Sequence, residues 1–167
     1  MTLRENDAPA GVAWGALDGS SGKARLPTVE NRVIQVAVGV CRRQDGALLI
    51  ARRRADATLP GLWEFPGGKL EAEESARQAV IRELREEVAL EVTVLAALEP
   101  LRHRYADFEV VLHPFVCRVV RGNAKPLASQ ELRWAMPEEI ERLPMPQANA
   151  TLLPRVFAAL RSLHFSD

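Results

Sequence analysis

The chain has 167 residues, 47% of them hydrophobic, which suits one domain around a single core and leaves no room for a second catalytic domain. Its 22 basic and 22 acidic residues give a net charge of +0 at pH 7, which argues against a stable nucleic-acid partner and favours a small, metal-complexed anion. With no signal-peptide core, no run of roughly 18 apolar residues and only Cys41 and Cys117 as thiols, a cytoplasmic protein with reduced, buried cysteines and no membrane partner is expected.

Residues 1–31 mix Gly, Ser, Pro and charge without periodicity and read as a poorly ordered N-terminal extension that Trp14 can still dock locally; a single domain is expected over 32–167. Ile34, Val36, Val38 and Val40 alternate with smaller or polar residues, the period of a strand. Asp45-Gly46 signals a hairpin that returns as a second strand from Ala47 to Arg53. Leu59-Pro60-Gly61 breaks regular structure, and Trp63-Glu64-Phe65 leads to Pro66-Gly67-Gly68, read as a tight turn in which the glycines supply positive φ.

Ser75 is the expected N-cap of a helix to about Val88, with Val80, Ile81, Leu84 and Val88 as its apolar stripe. Val92, Val94, Ala96 and Leu98 alternate again. Phe108 to Val120 reads as one long strand or two, with Pro114 marking an edge or a bulge. A short strand from Arg133 to Met136, a short helix at Pro137–Ile140 and an amphipathic helix bearing Leu152, Leu153, Val156, Phe157, Leu160 and Leu163 complete the chain. Mixed strands with two principal helices make an α/β fold, an α/β/α sandwich with a mixed curved sheet between helices.

The helix that starts at Ser75 places Glu83, Glu86 and Glu87 within an arc of about 100°. Like charges at this spacing repel, and acids near a helix C-terminus oppose the macrodipole, so local stability does not select the arrangement. The bland alternative is a solvated surface helix in which Arg82 pairs with Glu86. Carboxylate oxygens suit Mg²⁺ or Mn²⁺, and such ions would remove the repulsion.

The wider pattern is Gly68, five residues, Glu74, seven residues, Arg82-Glu83-Leu84, one residue, Glu86-Glu87, one residue, Ala89-Leu90. It resembles the Nudix box, Gly-x5-Glu-x7-Arg-Glu-U-x-Glu-Glu-x-Gly-U, at every position except Ala89. The resemblance implies the Nudix fold and metal ligands at Glu83, Glu86, Glu87 and the Gly67 carbonyl. Glu74 would assist through water, with Gly68 opening the box. Arg82 would orient a catalytic glutamate, and Glu83 would both hold metal and take a proton from the attacking water. Ala89 stands where the family has a Gly suited to a left-handed helix end, so a differently closed helix end is expected. A further acid is expected from a loop facing the helix, at Glu131, and Arg52, Arg53 and Lys69 can reach phosphate oxygens.

Over about residues 32–163 the chain is similar to the MutT branch, at Ile34-Gln35-Val36-Ala37-Val38-Gly39, Ala51-Arg52-Arg53, Trp63 to Lys69 and Pro146-Gln147-Ala148-Asn149. This implies hydrolysis of oxidised guanine nucleoside triphosphates, notably 8-oxo-dGTP, to the monophosphate and pyrophosphate. N7 is an acceptor in guanine and a donor once C8 is oxidised, and the Asn149 amide can answer the donor. Phe65 would wall the base and Arg53 contact base or phosphate; the alternatives are core packing for Phe65 and an N-cap for Asn149, with Thr151 able to cap instead. Rival readings are a Nudix pyrophosphatase for CTP or other modified nucleotides, and a non-catalytic nucleotide- or lesion-recognition module. A monomer or weak homodimer is expected.

Overall fold

The computed structural model describes residues 32–163, so the extension and Trp14 lie outside it. Among the described residues eight strands and three helices follow in chain order: β1 Arg32–Cys41, β2 Leu48–Arg52, β3 Trp63–Glu64, β4 Gly67–Lys69, α1 Ala76–Val88, β5 Glu91–Ala97, β6 Leu101–Arg104, β7 Phe108–Arg121, β8 Glu131–Ala135, α2 Pro137–Ile140 and α3 Gln147–Ser162. The strands form a mixed five-stranded sheet, with β1 parallel to β7, and a separate antiparallel sheet in the order β3-β2-β8. Helices cover both faces. Ile34, Val36, Val38 and Val40 share one core with Leu152, Leu153 and Val156 of α3, whereas Ala37 and Cys41 share a second with Ala79, Val80, Leu84 and Val88 of α1. The period-two alternation of β1 thus sends successive side chains into opposite layers, as expected of a strand buried on both sides.

Three local expectations change, and one strand is new. The Asp45-Gly46 turn forms, but only Arg42 bridges Leu48 before β2 leaves β1 for the second sheet, because β2 pairs along its length with β8 and β3. Pro114 lies neither at an edge nor at a break: β7 runs unbroken through the sheet centre, β1 on one side and β5 and β6 on the other. It is tolerated because β6 pairs with β7 up to Leu112 and β5 from Phe115, so the missing N–H falls where the partner strand changes; the Pro114 carbonyl there accepts from Leu98 N–H at 2.9 Å. β6 itself carried no pattern. On α1, Ile81 is 37% exposed and Ala79 takes its place in the buried stripe.

Ser75 caps α1 as expected, its hydroxyl accepting from Gln78 N–H while the Gln78 side chain accepts from Ser75 N–H. At the other end the expected alternative closure does not occur. Ala89 adopts φ 59° and ψ 33°, the left-handed conformation, and Leu90 N–H returns to the Leu84 carbonyl at 3.1 Å. The strap between β7 and β8 then covers the helix end, Lys125 N–H donating to Val88 O at 3.0 Å and Leu127 N–H to Glu87 O at 3.1 Å. A Cβ in this backbone region costs about 1 kcal/mol relative to Gly. Ala89→Gly is therefore expected to raise stability by about that amount, checked by urea unfolding; an unchanged midpoint would mean the strain is relieved elsewhere.

Cys41 and Cys117 are direct cross-strand neighbours, free and buried. The Cys117 thiol, with burial, pushes the Cys41 thiol well above its ordinary pKa, in keeping with inert reduced sulfur.

Candidate active site

The glycines before α1 do not form the expected turn. Gly67 and Gly68 are strand residues of β4, paired with Val38 and Ala37 of β1, and neither has positive φ. Their requirement is closeness: a Cβ on Gly67 would stand 2.0 Å from the Ala37 carbonyl oxygen, and one on Gly68 2.5 Å from the Glu83 carboxylate. A bare backbone strand thereby lies directly against the acidic face of α1.

Arg82 organises that face. Its Nε and Nη2 donate to the two oxygens of Glu74 at 2.8 and 2.9 Å, a bidentate fork, while Nη1 donates to Glu83 at 2.7 Å and Glu86 at 3.3 Å. Nη2 also donates to the Lys69 carbonyl at 3.1 Å, which ties the helix to β4. Glu74 accepts from Glu71 N–H as well, and these bonds, the guanidinium foremost, pull its pKa down to about 2. The Arg82–Glu86 pair of the surface-helix alternative does form, yet within a hub that also holds two carboxylates only 12% exposed.

The other acids are left short of positive charge. Burial raises the pKa of Glu83 despite Arg82, and burial followed by the Glu83 and Glu64 charges pushes Glu87 up to about 8. Glu64, at the end of β3, is the acid that sequence reasoning missed. Burial pushes it to about 7 although Arg53 lies 3.5 Å away, and it faces Glu87 across a cavity of about 230 Å³ that Arg53, Arg54, Pro66, Ala128 and Ser129 also line. Ser129 Oγ is buried there with no hydrogen-bond partner among the described residues. An acid between two aromatics, Trp63 and Phe65, was the available signal for Glu64.

Glu131 is not in a loop and is not brought to this cluster. It opens β8 opposite Arg52, so it shares a face with Arg52 and Trp63, whereas Glu64 pairs with Ala51 on the other face. Its carboxylate pairs with Arg133 at 3.5 Å and Arg52 at 3.8 Å. Lys69 sits on β4 in a groove with Glu71 and Glu74, away from the Glu64 cavity. Phe65 is 3% exposed within the α3-side core. Asn149 does not cap α3: Pro146 holds that position, Thr151 instead donates to the Gln147 carbonyl, and Asn149 is the third helical residue. It is 5% exposed, and its Oδ1 has no partner among the described residues.

These features together are a set of partly buried, mutually repelling carboxylates packed against a glycine strand, with a cavity beside them. A family model for the NUDIX domain matches residues 37–155. The chain belongs to the Nudix family. CTP pyrophosphohydrolase from Escherichia coli (strain K12) is 37% identical over 136 residues, 81% of this chain and 99% of that protein. The 8-oxo-dGTP diphosphatase of the same strain is 31% identical over 123 residues, 74% and 95%. The solution structure of the E. coli ORF135 protein matches with a TM-score of 0.67 at 36% identity, over 84% of this chain and 99% of that one. A MutT protein from Methanosarcina mazei Go1, at 22% identity and a TM-score of 0.71 over 79% and 98%, shares the fold. The chain is thus a Nudix hydrolase of MutT type that cleaves a nucleotide's diphosphate linkage, and Nudix hydrolases generally need divalent metal ions.

The residues fit such ions. Hard carboxylate oxygens are the right donors, and buried acids that resist ionising together call for added positive charge. Among the described residues no three acids already converge as a finished cage, because Arg82 holds Glu83 and Glu86. The same electrostatics predict a pH dependence. A carboxyl raised above its unfolded value of 4.5 carries no penalty below that pH, and the full penalty once ionised above about 8. Metal-free protein should therefore melt at falling temperature as pH rises from 4.5 to 8, and Glu87→Gln should flatten that slope. Glu74 acts in the opposite sense, its contribution being lost as pH falls from 4.5 toward 2. No helix of the described residues is long and apolar enough to cross a membrane.

Proposed function

We propose that residues 32–167 form one catalytic unit that hydrolyses oxidised guanine nucleoside triphosphates, notably 8-oxo-dGTP, to the monophosphate and pyrophosphate. The observation that carries this reading is the state of the Asn149 amide near the start of α3. Its carbonyl is buried with no hydrogen-bond partner among the described residues, while Glu87, Glu64 and Arg53 line the cavity beside the acidic helix. An acceptor in that state calls for a donor from the ligand, which N7–H of the oxidised base supplies and N7 of guanine does not. The similarity to the E. coli 8-oxo-dGTP diphosphatase supports it.

Glu83, Glu86, Glu87 and the Gly67 carbonyl are the residues that would hold Mg²⁺ or Mn²⁺, with Glu64 in the place first assigned to Glu131. Bound ions would neutralise the triphosphate and the charge that builds on the departing phosphates. Glu83 accepts the proton of the attacking water, and Arg82 keeps its carboxylate aimed while Glu74 anchors Arg82. Arg53 steadies a phosphate or the base, and Phe65 backs the base from the core.

The second reading, CTP or a modified cytosine nucleotide, is favoured by the higher identity to the E. coli CTP pyrophosphohydrolase, and the cytosine amine also donates to an Asn carbonyl. Pyrophosphate release from 8-oxo-dGTP, dGTP, CTP and dCTP with Mg²⁺, for wild type and Asn149→Ala, decides between them. A preference for 8-oxo-dGTP over dGTP that shrinks in Asn149→Ala upholds the first reading. Preference for CTP selects the second, and a preference untouched by Asn149→Ala removes that residue from base reading.

A further inference from the structure

The turn between β6 and β7 holds a side chain that no motif singled out. Tyr105 N–H donates to the Phe108 carbonyl at 2.8 Å, which fixes the backbone of the turn. The Tyr105 ring stacks on Phe108 at 4.9 Å between centroids and 23° between planes, and His103 meets it edge-on at 4.6 Å and 68°. The ring is therefore clamped by aromatic neighbours. Its phenol oxygen reaches across to α3 and accepts from Ala148 N–H at 3.4 Å.

Ala148 is the second residue of α3, where backbone N–H groups have no intrahelical acceptor. A phenol oxygen there gives the helix N-terminus a side-chain partner from another element, a task that the N-cap Pro146 cannot perform because it makes no side-chain cap bond. The next residue is Asn149. Tyr105 also stands near Arg53, whose guanidinium charge Glu64 favours against burial. One aromatic group therefore touches the helix start beside the amide whose carbonyl has no partner among the described residues, and neighbours the cation that pairs with Glu64.

We propose that Tyr105 is a positioning residue for base selection: by holding the first turn of α3 through Ala148 N–H, it sets the placement of the Asn149 amide against the base. This rests on the base-reading role given to Asn149. Tyr105 lies at the β6–β7 turn and reaches α3, so its effect is expected in KM and in the ratio between bases rather than in kcat.

The test is Tyr105→Phe, which keeps the ring stack and removes the phenol oxygen, measured beside Asn149→Ala and the double variant. Steady-state kinetics with Mg²⁺ would use 8-oxo-dGTP, dGTP and CTP. Losing one neutral hydrogen bond corresponds to a change of about three- to tenfold. Tyr105→Phe is expected to cut the preference of wild type between its best base and the others by that factor, through KM, with kcat within about twofold. The double variant should be no less selective than Asn149→Ala alone, because one residue acts through the other. Unchanged selectivity in Tyr105→Phe, or a double variant whose losses multiply fully, overturns the proposal while leaving the role of Asn149 standing. A wild type that hydrolyses triphosphates with no base preference overturns both, and a uniform fall in kcat on all substrates would show Tyr105 to be merely structural.

Discussion

Glu83→Gln is expected to lower kcat by about 10²–10⁴-fold on every triphosphate offered, the range typical of losing a positioned general base. The substitution keeps the shape of a side chain pressed against β4, where the space beside Gly68 admits no extra atom. What it removes is one of the charges that raise the Glu87 pKa. Metal-free Glu83→Gln should accordingly melt higher than wild type while binding Mg²⁺ more weakly, a combination readable by calorimetry with and without the ion. A variant that keeps activity within tenfold of wild type would remove Glu83 from the chemistry. A merely decorative charge predicts the gain in stability with no activity to lose.

Arg82→Ala should be the most damaging single change to the fold around the site. It strips the guanidinium from Glu74 and Glu83, both 12% exposed, and leaves each carboxylate without its cation. Breaking a buried pair on one side costs about 3–5 kcal/mol, and partial exposure puts the expectation near the lower figure. That corresponds to roughly 6–12 °C in Tm. Arg82→Lys should restore little, because a point charge cannot make the two-pronged contact with Glu74 and also reach Glu83 and the Lys69 carbonyl. If Lys restores both stability and turnover, the planar fork is not what organises the face.

Much of α1 was legible before any coordinates, because its signals are local. The Ser75 cap, the apolar spacing and the box of Gly, Arg and Glu residues all lie within 23 consecutive positions, Gly68 to Leu90. The sheet was less so. That β2 abandons β1 for β8 depends on pairing with residues 79 to 87 positions further along the chain, about which the Asp45-Gly46 turn is silent. Pro114 was misplaced for a related reason: its tolerance at the sheet centre depends on β6, and β6 is only four residues long.

The site shows the same division. Glu131 and Glu64 are both acids near strands, and what separates them is which face of the second sheet each occupies. That in turn depends on where β8 begins. A strand starting at Arg133, as expected from sequence, leaves Glu131 free to swing toward α1, whereas a strand starting at Glu131 pins it opposite Arg52. The cap alternative for Asn149 fell away once Pro146 was seen to hold that position, which put the amide one turn deeper and under cover.

The strap from β7 to β8 joins parts of the enzyme that evolution would be expected to vary separately. It carries Ser129 into the cavity while its amides grip the Glu87 and Val88 carbonyls. A graft of this segment from a relative would therefore disturb the C-terminal end of α1 as well as the cavity wall. The two are mechanically geared here, so point changes along the strap should be tolerated better than exchanging it whole.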